Sequence, residues 1–304
     1  ANGGSIALIA AQIINTGNLT ANGGNVLLGA GSRVTLDLGG PVKLDVEEAA
    51  IDALIEQGGA IRADGGRIYL TAKAAGDLAR TVINHTGITE ARTLSTGEHG
   101  EIVLLGDMQN DRIQVAGTLD ASAPDGGNGG FIDTSGAHVQ IAEGTTVTTK
   151  ATTGQTGTWL IDPTDFTVAA SGGDMTGTAL GNALAANNVV LDSVAGAQQG
   201  NGDLIVRDEV RWSGNRLTLR AQSDIHLYQD LVGSGSAQLT LAYGLASANG
   251  GTSDYHLHNA SRVYLSEGPN LSIQKGSAGA NQTYQVITQG TTPGTAGNVA
   301  FTGM

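Results

Sequence analysis

Two short stretches of the chain hold residues whose types and spacing could do chemistry. Asp162 and Asp165 flank Pro163, with Trp159 and Phe166 on either side. Paired carboxylates beside an aromatic ring are the donor set of glycoside hydrolysis. The same string also describes a strand, a turn set by Pro163 and capped by Asp, and a second strand whose rings seal a core. No basic residue stands nearby to offset the charge that a hydrolase or lyase must stabilise, so the turn is the reading adopted. The second stretch is Asp254-Tyr255-His256-Leu257-His258. Histidines two apart on a strand point to one face, where His256 and His258, joined by Asp254, would make an open transition-metal site. No third strong ligand stands at metal-like spacing, and the alternation with Tyr255 and Leu257 is that of a strand with its apolar side inward. A weak metal site at His256/His258 stays open as the alternative.

The remaining polar residues offer less. His85, His99, His138 and His226 stand singly and are read as surface or turn residues. Asp107, Asp111, Asp120, Asp125 and Asp133 form a loose acidic series around the Gly-rich stretch 121–130; their spacing fits no EF-hand or calcium nonapeptide array, so solvated turn carboxylates are expected. No Gly-x-Ser-x-Gly element lies between a strand and a helix. Sequons occur at Asn18, Asn84, Asn259, Asn270 and Asn281. No catalytic, cofactor-binding or metal-binding residue is assigned, no cofactor is expected, and no ligand-binding residue identifies itself.

The elements that would position such groups are set by a repeated phrase. Gly or Gly-Gly, one polar residue and then aliphatic residues recur at Gly3-Gly4-Ser5-Ile6, Gly23-Gly24-Asn25-Val26, Gly65-Gly66-Arg67-Ile68, Gly100-Glu101-Ile102 and Gly129-Gly130-Phe131-Ile132. A second phrase places Gly four residues before Ala at Gly17/Ala21, Gly59/Ala63, Gly87/Ala91 and Gly117/Ala121. A unit of this size cannot bury its own apolar face, so each must stack on its neighbour. Two short strands per repeat with glycine at the corners predict an all-β chain, a right-handed parallel β-helix (solenoid) with short peripheral helices. The Ala-, Glu- and Leu-rich stretches 46–57 and 72–82 predict two helical insertions, and 178–186 a third helix. The domain reading is a β-helix over 1–158 and its continuation over 159–304, with a seam near 160–190. At about 22 residues and about 4.8 Å per turn the rod would be on the order of 60 Å long.

Composition agrees with stacked aliphatic rungs and excludes several function classes. Glycine supplies 47 of 304 residues, proline only 5 and aromatic residues 4%, without the three-residue period of collagen. The formal net charge of −13, with no Lys/Arg cluster, repels a phosphate backbone and an anionic membrane. With no cysteine there is no disulfide and no thiolate metal site. No run of 18 apolar residues is present, so membrane insertion of this segment is not expected.

The strings Ile61-Arg62-Ala63-Asp64-Gly65-Gly66, Leu104-Leu105-Gly106-Asp107-Met108, Gly117-Thr118-Leu119-Asp120-Ala121-Ser122-Ala123, Gly129-Gly130-Phe131-Ile132-Asp133-Thr134-Ser135 and 156–168 resemble hallmarks of filamentous-haemagglutinin-like exoproteins of Gram-negative bacteria. The resemblance covers residues 1–175; beyond them only the texture is similar. It implies a non-enzymatic β-helical adhesin, secreted or on the cell surface, exported by two-partner secretion through an outer-membrane transporter. Its expected partners are carbohydrate or protein on host cells, on other bacteria or in biofilm exopolysaccharide. The family's Asn-Pro-Asn secretion motifs are absent, so the transporter would engage a region upstream of residue 1, and the chain reads as an internal fragment. The alternatives are a β-helical polysaccharide-active enzyme and the stalk of a contact-dependent toxin.

Overall fold

The computed structural model describes residues 3–37, 43–76, 80–94, 99–193, 200–286 and 299–301. The chain divides into two compact units, Ala1–Pro163 and Thr164–Met304. Both are built of short strands in mostly parallel sheets, and among the described residues there is one α-helix.

In the first unit every repeat contributes a strand to each of three sheets. One sheet takes Ile6–Ala10, Val26–Ala30, Arg67–Ala72, Glu101–Leu105, Phe131–Ser135 and Thr158–Asp162. The next takes Gln12–Asn15, Leu54–Gln57, Arg80–His85, Asp111–Val115 and His138–Ile141. The third takes Asn18–Thr20, Ala60–Arg62, Ile88–Glu90, Thr118–Asp120 and Thr146–Thr148. Three strands per repeat, rather than the two expected, arise because the aliphatic lead-in to each Gly-x-x-x-Ala phrase is itself a paired strand.

The core is made of columns of like residues held in register. Ile13, Ile55, Ile83, Ile113 and Val139 lie over one another and are buried. Val26, Ile68, Ile102, Ile132 and Trp159 form a second column. The Trp159 indole N–H donates to Thr134 Oγ1 at 3.2 Å, which accounts for a buried hydroxyl in the neighbouring aliphatic column.

Glycine at the corner is required by close approach. The Gly17, Gly59 and Gly87 carbonyls accept the amides of Ala60, Ile88 and Thr118 at 2.8, 2.9 and 2.9 Å. A Cβ at Gly59 would run into the Gly17 carbonyl oxygen, and one at Gly87 into that of Gly59.

Two expected helices are strands. Residues 46–57 divide between the antiparallel hairpin Arg33–Asp37/Lys43–Glu48 and the ladder strand Leu54–Gln57. Val34, Leu44 and Val46 of the hairpin lie against Gly29 and Gly31, so burial of one alternating face overrides the helix propensity of the Glu47–Ala50 run. Within 72–82, Ala74 bridges to Ala50 and Arg80–His85 is a ladder strand; residues 77–79 lie outside those described. The β-branched Thr81-Val82-Ile83 belongs to a column, and pairing decides its conformation.

The strands of the second unit also fall into three ladders. Asn188–Asp192, Arg216–Arg220, Gln238–Tyr243 and Gly268–Lys275 are parallel, followed by antiparallel Gln282–Val286. Val210–Trp212, Leu231–Gly233 and Val263–Leu265 are parallel, followed by antiparallel Val299–Phe301. Phe166–Val168, Leu204–Val206, Ile225–Leu227 and Tyr255–Leu257 form the last sheet. The expected helix is present at Gly177–Leu184. Thr176 Oγ1 caps it by accepting the Ala179 amide at 3.0 Å, and Leu180 and Leu184 are buried.

Candidate functional site

Among the described residues, the sheet of Phe166–Val168, Leu204–Val206, Ile225–Leu227 and Tyr255–Leu257 carries the densest cluster of chemistry-bearing side chains. Its register aligns Thr167, Ile205, His226 and His256, with Leu204, Val206, Ile225 and Leu227 turned inward and buried. The alternating residues on the other face therefore fall into columns. Pairing continues past the strand ends, since the Tyr228 amide donates to Val206 O at 2.7 Å and the His258 amide to Leu227 O at 2.8 Å. Asp203, Asp224 and Asp254 make one outward column, Ile205, His226 and His256 the next, and Arg207, Tyr228 and His258 the third.

Each column is organised along its length. Asp165 Oδ1 accepts the Asp203 amide at 2.9 Å, Asp203 Oδ1 accepts the Asp224 amide at 3.0 Å, and Asp224 Oδ1 accepts the Asp254 amide at 2.8 Å. One oxygen of each carboxylate is thus fixed by backbone. The second oxygen of Asp224 lies 3.6 Å from His256 Nε2. His226 and His256 stack with ring centroids 4.9 Å apart. His258 stacks on Tyr228 at 4.1 Å, and the Arg207 guanidinium covers the same tyrosine at 4.1 Å.

His226 is the centre of this grid. Its Nδ1 lies 3.1 Å from His258 Nε2, a separation at which the two rings share one proton. Burial, helped by the neighbouring His256 and His258, holds the His226 pKa below the ordinary histidine value against the pull of Asp203 and Asp224. The ring is therefore neutral at pH 7 and keeps a lone pair. One ligand atom each from Asp203, Asp224 and His226 lies within 4.8 Å of the others.

Sequence reasoning found the end of this cluster and missed its middle. Asp254, His256 and His258 were read together, but His226 was read as an isolated surface residue, and it is the residue the others surround. Aligning Asp203-Leu204-Ile205-Val206-Arg207, Asp224-Ile225-His226-Leu227-Tyr228 and Asp254-Tyr255-His256-Leu257-His258 as one repeated Asp-initiated rung carries the signal.

The other candidates are dispersed. Trp159 and Phe166 are core side chains, and the Asp165 carboxylate accepts the Asn201 and Asp203 amides. Asp162 closes its strand, its carbonyl accepting the Gly136 amide at 3.2 Å. In the acidic series Asp107 pairs with Lys73 at 2.8 Å, Asp120 accepts the Ser122 amide, and Asp133 accepts from the Ser135 hydroxyl. Asp111 is not a solvated turn carboxylate: it is buried, and it accepts the amides of Asp107 and Ala74. His85 is likewise no surface residue. It is fully buried beneath the column of Asn15 and Gln57, with Nδ1 donating to Ala116 O at 2.7 Å and Nε2 2.9 Å from Thr89 Oγ1. His99 is exposed and His138 half-buried at a strand start.

No model of a known protein family matches the chain, and no curated protein matches it.

Proposed function

We propose that the chain is a right-handed parallel β-helix serving as a non-enzymatic segment of a secreted or cell-surface adhesin of the filamentous-haemagglutinin-like kind. The observation that carries this reading is the stacking of the columns: within each unit, corresponding strands of successive repeats pair in parallel and bring like residues into register. Parallel strands joined by crossovers turn right-handed in nearly all sheets, which supports the hand. A molecule built this way acts through the flat polar faces that its outward columns present, and its partner is carbohydrate or protein on a target surface. The formal charge of −13 argues against nucleic acid and anionic lipid. A cysteine-free chain whose strands pair one repeat at a time suits passage unfolded through an outer-membrane transporter.

Attachment without turnover is the expected behaviour. The purified chain, immobilised, should retain cells or particular glycans of an array saturably, and leave polygalacturonate and alginate at full length with and without calcium. Shortening of such a polymer would replace this reading with that of a polysaccharide-active enzyme.

A further inference from the structure

We propose that Asp203, Asp224 and His226 bind a divalent first-row transition-metal ion, zinc by preference, on the outward face of the sheet that contains Leu204–Val206 and Ile225–Leu227. The inference is independent of what the molecule attaches to.

The donors come from two adjacent strands locked in parallel register, and their ligand atoms already lie within 4.8 Å of one another. Small movements of side chains close that spacing to the bite of a metal. The donor set is two carboxylates and an imidazole, which suits zinc, cobalt or nickel; calcium, which takes six to eight oxygens, is poorly served. His256, with Nε2 3.6 Å from Asp224 Oδ2, stands close enough to supply a further nitrogen.

The supports around these donors are those a metal site needs. Asp203 Oδ1 and Asp224 Oδ1 are each held by a backbone amide, leaving the second oxygens for an ion. His226 Nδ1 is engaged by His258, which fixes the ring and leaves Nε2 as the ligand nitrogen; His258 is itself clamped on Tyr228 beneath Arg207. Four outward carboxylates elsewhere on the chain are neutralised by arginine: Arg62–Glu90 at 2.5 Å, Arg67–Glu101 at 2.9 Å, Arg92–Asp64 at 2.6 Å and Arg220–Asp192 at 2.7 Å. Among the described residues Asp203 and Asp224 have no such arginine or lysine partner, so their negative charge is available to a cation.

Calorimetric titration of the metal-stripped chain with zinc chloride tests the site. The expected result is one zinc ion per chain, with His226→Gln and Asp224→Asn each weakening binding by about ten-fold or more. His138→Gln, in the other unit, should leave it unchanged, and calcium should not compete. Asp224→Asn keeps the oxygen that accepts the Asp254 amide, so it decides the matter if His226→Gln fails to fold. A readout on the wild-type chain needs no variant: zinc should shift the side-chain nitrogen resonances of His226 and leave those of His99 and His138 in place. Equal affinity in the wild type and in Asp224→Asn, displacement of zinc by calcium, or an unmoved His226 resonance would overturn the proposal.

Discussion

The imidazole of His85 is enclosed in the first unit, and burial holds its pKa below the ordinary histidine value, so it is neutral. Its Nδ1 faces a carbonyl, which has no proton to give, so Nδ1 carries the hydrogen and Nε2 accepts from Thr89. Below about pH 6.5 the unfolded chain takes up a proton that the native His85 does not. Stability then falls by up to about 1.4 kcal/mol per pH unit from this residue. Asp133 works the other way. Burial pushes its pKa up to about 6, with Glu101 adding to the rise and the Ser135 hydroxyl opposing it. Between about pH 4 and 6 the native Asp133 holds a proton that the unfolded chain has lost, so this contribution is present at acid pH and disappears as pH rises through 6. Asp111, pushed up to about 6 by burial, adds to it.

These opposing slopes predict a wild-type stability that changes little between pH 7 and 5. Asp133→Asn should raise stability at pH 7.5 by about 1–2 kcal/mol and lose most of that gain by pH 5. His85→Gln should be less stable than the wild type at pH 7.5 and narrow the gap on acidification. Urea unfolding midpoints at the two pH values check both. Neither environment was legible in the sequence. Asn84, Thr86 and Gly87 around His85 read as a turn, and only the stacking of its rung on those of Asn15 and Gln57 shows that the ring points inward.

At the scale of the element, glycine is demanded for two reasons, the close approach of a neighbouring carbonyl and a left-handed backbone, and at Gly117 both apply. Gly59 has the first constraint, while Gly144, at φ +79° with open space where a Cβ would stand, has only the second. Gly59→Ala should cost about 2–4 kcal/mol by forcing two rungs apart, and Gly144→Ala only about 1 kcal/mol. Denaturant midpoints of the two variants measure the difference. The repeat phrases were legible because this contact demands glycine at one corner after another, at Gly24, Gly59, Gly66, Gly87, Gly117 and Gly130. The hairpin and the ladder strand over 46–57 were not, because Ala and Glu favour helix locally and the partners that overrule them lie far off in sequence. The helix at Gly177–Leu184 was legible, since Thr176 caps it and no ladder strand competes for its residues.

For the whole molecule, the excess of acid over base is spread along the chain, with 28 acidic and 15 basic residues and a pI near 4.7. Charge repulsion keeps copies apart at neutral pH and vanishes near the pI. Light scattering should therefore rise as the pH is lowered toward 4.7 and fall again on return to 7.5. The all-β class was legible from glycine spacing and aliphatic runs alone. The His226 grid was not, because a cluster assembled from three rungs has no local motif.

Successive members of the column Ile13, Ile55, Ile83, Ile113 and Val139 lie 42, 28, 30 and 26 residues apart, yet their side chains stack without a break. The longest interval holds the hairpin Arg33–Asp37/Lys43–Glu48, lodged between two rungs without altering the pairing on either side. Within a strand, one added residue would flip every side chain across the sheet; between strands, a dozen are absorbed. Such a scaffold can take on and discard cargo at its corners while its frame stays the same, which makes those corners natural places for grafting foreign epitopes and for lineage-specific novelty to accumulate.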